Sequence, residues 1–158
     1  MTKTILVIGT YDTKDAELLY VCETIRGQGG AVLSMDVSVL GHPSTTTDIS
    51  KHDVAAAADK TIQDAIDAGD ENHAMQIMAK GAASLCAQLY AQGKIDGMIG
   101  LGGTMGTDLV LDCAQALPMG VPKFVVSTVS FSPLIPADRL SPDIQMILWA
   151  GGLYGLNS

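Results

Sequence analysis

Aromatic side chains are scarce in this sequence: Phe, Tyr and Trp make up 4% of its 158 residues. Hydrophobic residues nevertheless reach 47%, so the core must be built from Ala, Val, Ile, Leu and Met. Small aliphatics with 17 glycines suit close helix-on-sheet packing better than a β-sandwich. Basic residues are few as well. Nine Lys and Arg against 17 Asp and Glu give a net charge of -8 and no basic stripe to neutralise a polymer's phosphates. A nucleic acid partner is therefore excluded as the main ligand. A small anion is not excluded, because oriented backbone N–H groups bind one locally whatever the net charge.

Long apolar runs are also missing. The run Ile5-Leu6-Val7-Ile8 is too short for a signal-peptide core or a membrane span. Cys22, Cys86 and Cys113 are far apart and odd in number, each within an apolar helical pattern. They read as free buried thiols in a reducing compartment, and the chain as cytoplasmic. His42, His52 and His73 have no metal-ligand spacing among themselves or with the cysteines, so no metal site is expected.

What is present is an alternation of short apolar runs with amphipathic stretches. Strands are expected over 4–9, 31–37, 95–101, 123–127 and 144–149. Helices are expected over 15–28, 71–92 and 107–116, with Asp12 or Thr13 capping the first. Residues 38–69 read as an elaborated crossover with two short helical pieces, the first capped by Asp48. The pattern predicts one α/β domain over residues 1–158. Its sheet is open, mainly parallel and five-stranded or slightly larger, with helices on both faces in a Rossmann- or flavodoxin-like three-layer arrangement.

Ligands of such sheets bind outside the carboxyl ends of the strands, where strand order reverses. Four strand tips are rich in Gly, Asp and hydroxyls: Thr10, Asp12, Thr13 and Lys14; Asp36 and Ser38; Gly102 to Thr107; and Ser127 and Thr128. The third is the sharpest. Gly102, Gly103 and Gly106 remove Cβ atoms where a strand gives way to a helix, and Thr104 and Thr107 add hydroxyl donors. The loop lacks the Gly-Lys-Ser/Thr of a Walker A motif. It also misses the dinucleotide fingerprint, because three residues, not two, separate Gly102 from Gly106. At the first tip, Lys14 could pair a phosphate and Asp12 orient a ribose hydroxyl or a metal. Asp36 could accept from a ribose hydroxyl. Ser127 and Ser130 have no Gly-x-Ser-x-Gly elbow and no His partner, so no catalytic residue is assigned.

Gly9-Thr10 with Asp12-Thr13-Lys14, Asp36-Val37-Ser38, Leu101 to Thr107, Leu117 to Lys123 and Ser127-Thr128 occur in that order. Together they resemble the N-terminal domain of the Tm-one-like ATP-binding family of plant and bacterial proteins, over essentially the whole chain. The resemblance implies ATP as ligand, with or without Mg²⁺, self-association as a homodimer, and a C-terminal partner domain in a longer architecture. It implies binding roles for Thr10, Asp12, Thr13, Lys14, Asp36, Ser38, the Gly102–Thr107 loop, Ser127 and Thr128. Two functions are then expected to compete. One is a nucleotide-binding module that controls assembly or partner binding. The other is half of an enzyme acting on a phosphorylated or acyl small molecule, completed by a further domain.

Overall fold

The computed structural model describes residues 2–149. Five strands form one parallel sheet: β1 (Thr4–Gly9), β2 (Ala31–Asp36), β3 (Gly97–Gly102), β4 (Lys123–Ser127) and β5 (Ile144–Leu148). Their order is β2-β1-β3-β4-β5, and every pairing is parallel. The helices are α1 (Asp15–Gly27), α2 (Lys51–Ala56), α3 (Ile62–Ile66), α4 (Glu71–Ala91) and α5 (Thr104–Gln115). The expected α/β architecture is present, with helices on both faces.

Their distribution between the faces is uneven. The connection from β1 to β2 runs one way along the sheet, and those from β2 to β3 and β3 to β4 run the other. Right-handed crossovers then put α1 on one face and α4 and α5 on the opposite one. The core divides accordingly. Leu6, Ile8, Met35, Val125 and the inner sides of α2 to α5 form the larger cluster, and Val7, Tyr11, Leu18, Cys22 and Leu101 the smaller. The three cysteines are buried and free. Burial raises the Cys22 thiol, and a hydrogen bond to Cys86 together with burial raises Cys113, so both stay protonated.

Three sequence expectations are corrected. Helix α5 starts at Thr104, three residues early, because only Gly103 intervenes in extended backbone (φ -74°, ψ -157°). Neither Asp12 nor Thr13 caps α1; its N-cap is Lys14, without a side-chain cap. Asp48 does not cap α2. It accepts from the backbone N–H and hydroxyl of Ser34, while Ser50 and Asp53 form a capping box.

At the amino ends of the strands, Lys123 is buried and its ammonium lies 2.7 Å from Asp143. That contact, with hydrogen bonds from the Ser141 hydroxyl and the Gly120 N–H, holds the Asp143 carboxyl far below the usual carboxylate range. A depressed folded value means the stabilisation is complete above the unfolded carboxyl value of about 3.9 and fades as pH falls below it. Urea midpoints are therefore expected to drop on acidification below about pH 4. Asp143→Asn should be less stable at neutral pH and show a shallower acid dependence; an unchanged slope would remove Asp143 from the account.

Candidate functional site

The chain moves from β1 to β2 in one direction and on to β3 in the other, so strand order reverses between β1 and β3. A cavity of about 640 Å³ opens at the carboxyl ends of these strands. Its polar wall includes Thr10, Asp12, Thr13, Lys14 and Ser38, and Gly103 to Gly106 form another side. Val39, Leu40, Ala65, Ile66, Ala74 and Met75 supply an apolar wall, with Asp70 and Glu71 at the start of α4. The first and third tips are thus brought together, with Ser38 from the second.

The helix starts differ in what they offer an anion. Side chains of Ser50, Thr61 and Asp70 cap α2, α3 and α4. α1 lacks a side-chain cap but carries Asp15 and Glu17 in its first turn. α5 alone among the described helices has neither a side-chain cap nor an acidic residue in its first turn. Its positive dipole end is uncompensated, and its first N–H groups have no side-chain acceptor.

The glycines of this turn have different reasons. A Cβ on Gly102 would overlap the backbone of Gly106 and Thr107, so the fold itself requires glycine there. A Cβ on Gly103 would come no nearer than 3.9 Å to Thr128 Oγ1, and one on Gly106 no nearer than 4.0 Å to the Leu101 carbonyl. Internal packing demands glycine at neither position. Bare backbone there is what close approach of a ligand would need.

Other expected residues hold the tips in place. Asp36 is buried; Oδ1 accepts from the N–H groups of Tyr11 (3.2 Å) and Ser38 (2.9 Å), and Oδ2 from the Ser38 hydroxyl (2.9 Å). Its carboxylate does not line the cavity. Thr107 Oγ1 bonds the Gly103 carbonyl and the Ser127 hydroxyl, each at 2.6 Å, while Val129 N–H donates to Ser127 Oγ. Ser127 and Thr107 therefore pin β4 to α5. Thr128 N–H donates to the Gly102 carbonyl (3.2 Å) and lies outside the cavity lining. Asp12 accepts from Gly41 N–H through Oδ2 (3.1 Å), while its buried Oδ1 has no protein partner. Lys14 is held with its ammonium 5.3 Å from the centre of the Trp149 ring.

Sequence reasoning missed two contributors. Lys51 is buried and donates to the carbonyls of Val39 (3.1 Å) and Gly41 (2.5 Å), fixing the loop that meets Asp12. A lysine inside a short helix gave no sign of this. The apolar wall at Val39, Leu40, Ala65 and Ile66 comes from the crossover whose path only tertiary contacts decide. Among the described residues, no group of three or more His, Cys, Asp or Glu could hold a metal by itself. No described helix is long and apolar enough to cross a membrane.

These features define a parallel α/β domain of flavodoxin-like strand order with a ligand-sized cavity at its switch point. Residues 3–158 match the family described as "Uncharacterised protein family (UPF0261) N-terminal domain", and the chain belongs to that family. It is 57% identical over 153 residues to a UPF0261 protein of Brucella suis, covering 97% of this chain and 37% of that protein. A UPF0261 protein of Clostridium tetani is 34% identical over 158 residues, covering 100% of this chain and 39% of the relative. The ToMV susceptible protein tm-1(GCR26) of Solanum lycopersicum is 26% identical over 141 residues, covering 80% of this chain and 19% of that protein. The chain thus spans well under half the length of the curated relatives it matches.

Proposed function

We propose that this domain binds a nucleotide, ATP by its resemblance, with the phosphates against the first turn of α5. The observation that carries the reading is the uncapped, acid-free start of α5 opening into a cavity at the switch point. Thr10, Thr13 and Lys14 face the same space and supply hydroxyls and a cation for phosphate oxygens. The apolar wall of Val39, Leu40, Ile66 and Met75 suits a base, whose rings need little beyond non-polar contact.

Asp12 fits a divalent cation carried in by the nucleotide. Mg²⁺ is commonly held by one or two carboxylates together with phosphates and waters, and Asp12 Oδ1 is a carboxylate oxygen without a partner. The ion would lend charge neutralisation between carboxylate and phosphates. Calorimetry should give saturable ATP binding, and excess ATP at a hundred times Kd should raise stability by about 2.7 kcal/mol. Affinity should be higher with Mg²⁺ than with EDTA, and Asp12→Asn should abolish that difference, a loss of about tenfold. No binding at millimolar ATP would end the proposal; a Mg²⁺ effect intact in Asp12→Asn would end only the metal assignment.

One observation favours the second reading, half of an enzyme. A neighbouring cavity of about 410 Å³ shares Met75, Thr104 and Met105 with the first, so the start of α5 walls both. A phosphorylated or acyl partner would occupy it, with a further domain closing the site. With the rest of a full-length relative added, conversion of ATP to ADP with the phosphoryl group passed to water or to an added carboxylate or hydroxyl substrate supports this reading. ATP binding without turnover across such substrates supports the binding module.

A further inference from the structure

Handed crossovers leave one part of this sheet bare. After β2 every connection runs in the same direction, so α4 and α5 gather on one face. The stretch between β4 and β5 joins them there, through Arg139 to Asp108 and Asp112 of α5. On the other face α1 packs against β1 and β2. Leu101 of β3 is buried there with Tyr11, Leu18 and Cys22, but among the described residues no helix lies over β4 and β5 on that side.

The side chains there are apolar apart from Gln145. Paired residues of parallel strands share a face, which sets Ile99, Phe124 and Gln145 in one row and Leu101, Val126 and Ile147 in the next. Ile147 is 47% exposed although it sits in a strand. On this face β5 carries Gln145 and Ile147, and on the other Ile144, Met146 and Leu148. At the tip of β5 the Ser130 hydroxyl donates to the Ile147 carbonyl (2.9 Å).

We propose that the α1-side face of β4 and β5 is the docking surface for a helix of the polypeptide that the bacterial relatives carry beyond the matched region. The matched region is 37% and 39% of two such relatives, so most of their length lies elsewhere and must bury apolar surface of its own. A helix laid there beside α1 completes the missing layer. A second copy of this chain fits less well. Facing sheets pack about 10 Å apart, and α1, a helix diameter thick, holds a second sheet off.

The test is hydroxyl-radical footprinting of this chain alone, of the chain joined to the remaining polypeptide of the Brucella suis relative, and of the two mixed as separate molecules. Phe124 and Ile147 are expected to react several-fold more slowly in the joined or mixed samples. Tyr20, 71% exposed on α1, should be unchanged. Ile147→Asp should weaken association of the separate molecules by about tenfold while leaving the melting temperature of the isolated chain unaltered. Equal reactivity of Phe124 and Ile147 in both the joined and mixed samples overturns the proposal. So does a dimer of the isolated chain that Ile147→Asp dissolves.

Discussion

Gly103→Ala and Gly106→Ala are expected to fold as well as the parent and to lose most of their affinity for ATP, whereas Gly102→Ala is expected to fold poorly. The contrast follows from what surrounds each Cα. At Gly102 an added methyl group meets backbone atoms of Gly106 and Thr107, which cannot move without unwinding the first turn of α5. Overpacking against backbone costs about 1–3 kcal/mol or more. At Gly106, inside the helix and with open space beyond, alanine gains about 0.5–1 kcal/mol of helix propensity. Its methyl group would nevertheless occupy the space through which a phosphate meets the helix N–H groups. An increased melting temperature with ATP affinity reduced about tenfold would separate ligand contact from folding. Undiminished affinity in both Gly103→Ala and Gly106→Ala would move the phosphates off α5.

The strands were legible because each is a short apolar run stopped by a turn residue: Ile5 to Ile8 before Gly9, Met98 to Leu101 before Gly102-Gly103, Phe124 to Val126 after Pro122. Such local signals survive folding unchanged. The start of α5 was misplaced by three residues because a glycine-rich run reads as loop, yet Gly103 in extended backbone suffices to launch a helix at Thr104. Asp12 and Asp48 looked like caps by position. Asp12 instead meets Gly41 and Asp48 meets Ser34, partners 29 and 14 residues away that no local pattern reveals. The uneven covering of the sheet was hidden for a related reason. Strand order decides which crossovers share a face, and the sequence names the strands without ordering them.

Asp36 is where the largest loss of stability is expected among the proposed site residues. Its carboxylate is buried between two strand tips and takes three hydrogen bonds, two of them from backbone N–H groups with no other acceptor in view. Asp36→Ala strands the N–H groups of Tyr11 and Ser38 in the protein interior, at about 1–3 kcal/mol each, so urea unfolding should show a loss of roughly 2–5 kcal/mol. Tyr11 itself is buried beneath α1, its hydroxyl pushed well above the ordinary phenol range by desolvation first and by Cys22 second. Freeing its backbone therefore loosens the smaller core as well as the tip. Asp36→Asn keeps an oxygen for both N–H groups and a polar atom for the Ser38 hydroxyl, and should cost only about 1 kcal/mol. This pair also decides what Asp36 does for a ligand. If the residue only ties β1 to β2, Asp36→Asn binds ATP like the parent. If its carboxylate accepts from a ribose hydroxyl, the amide must lose affinity at nearly unchanged stability, and the hydrogen bonds to Tyr11 and Ser38 would have to be broken in the complex. With all three bonds drawn from within the protein, retained affinity is the expected result.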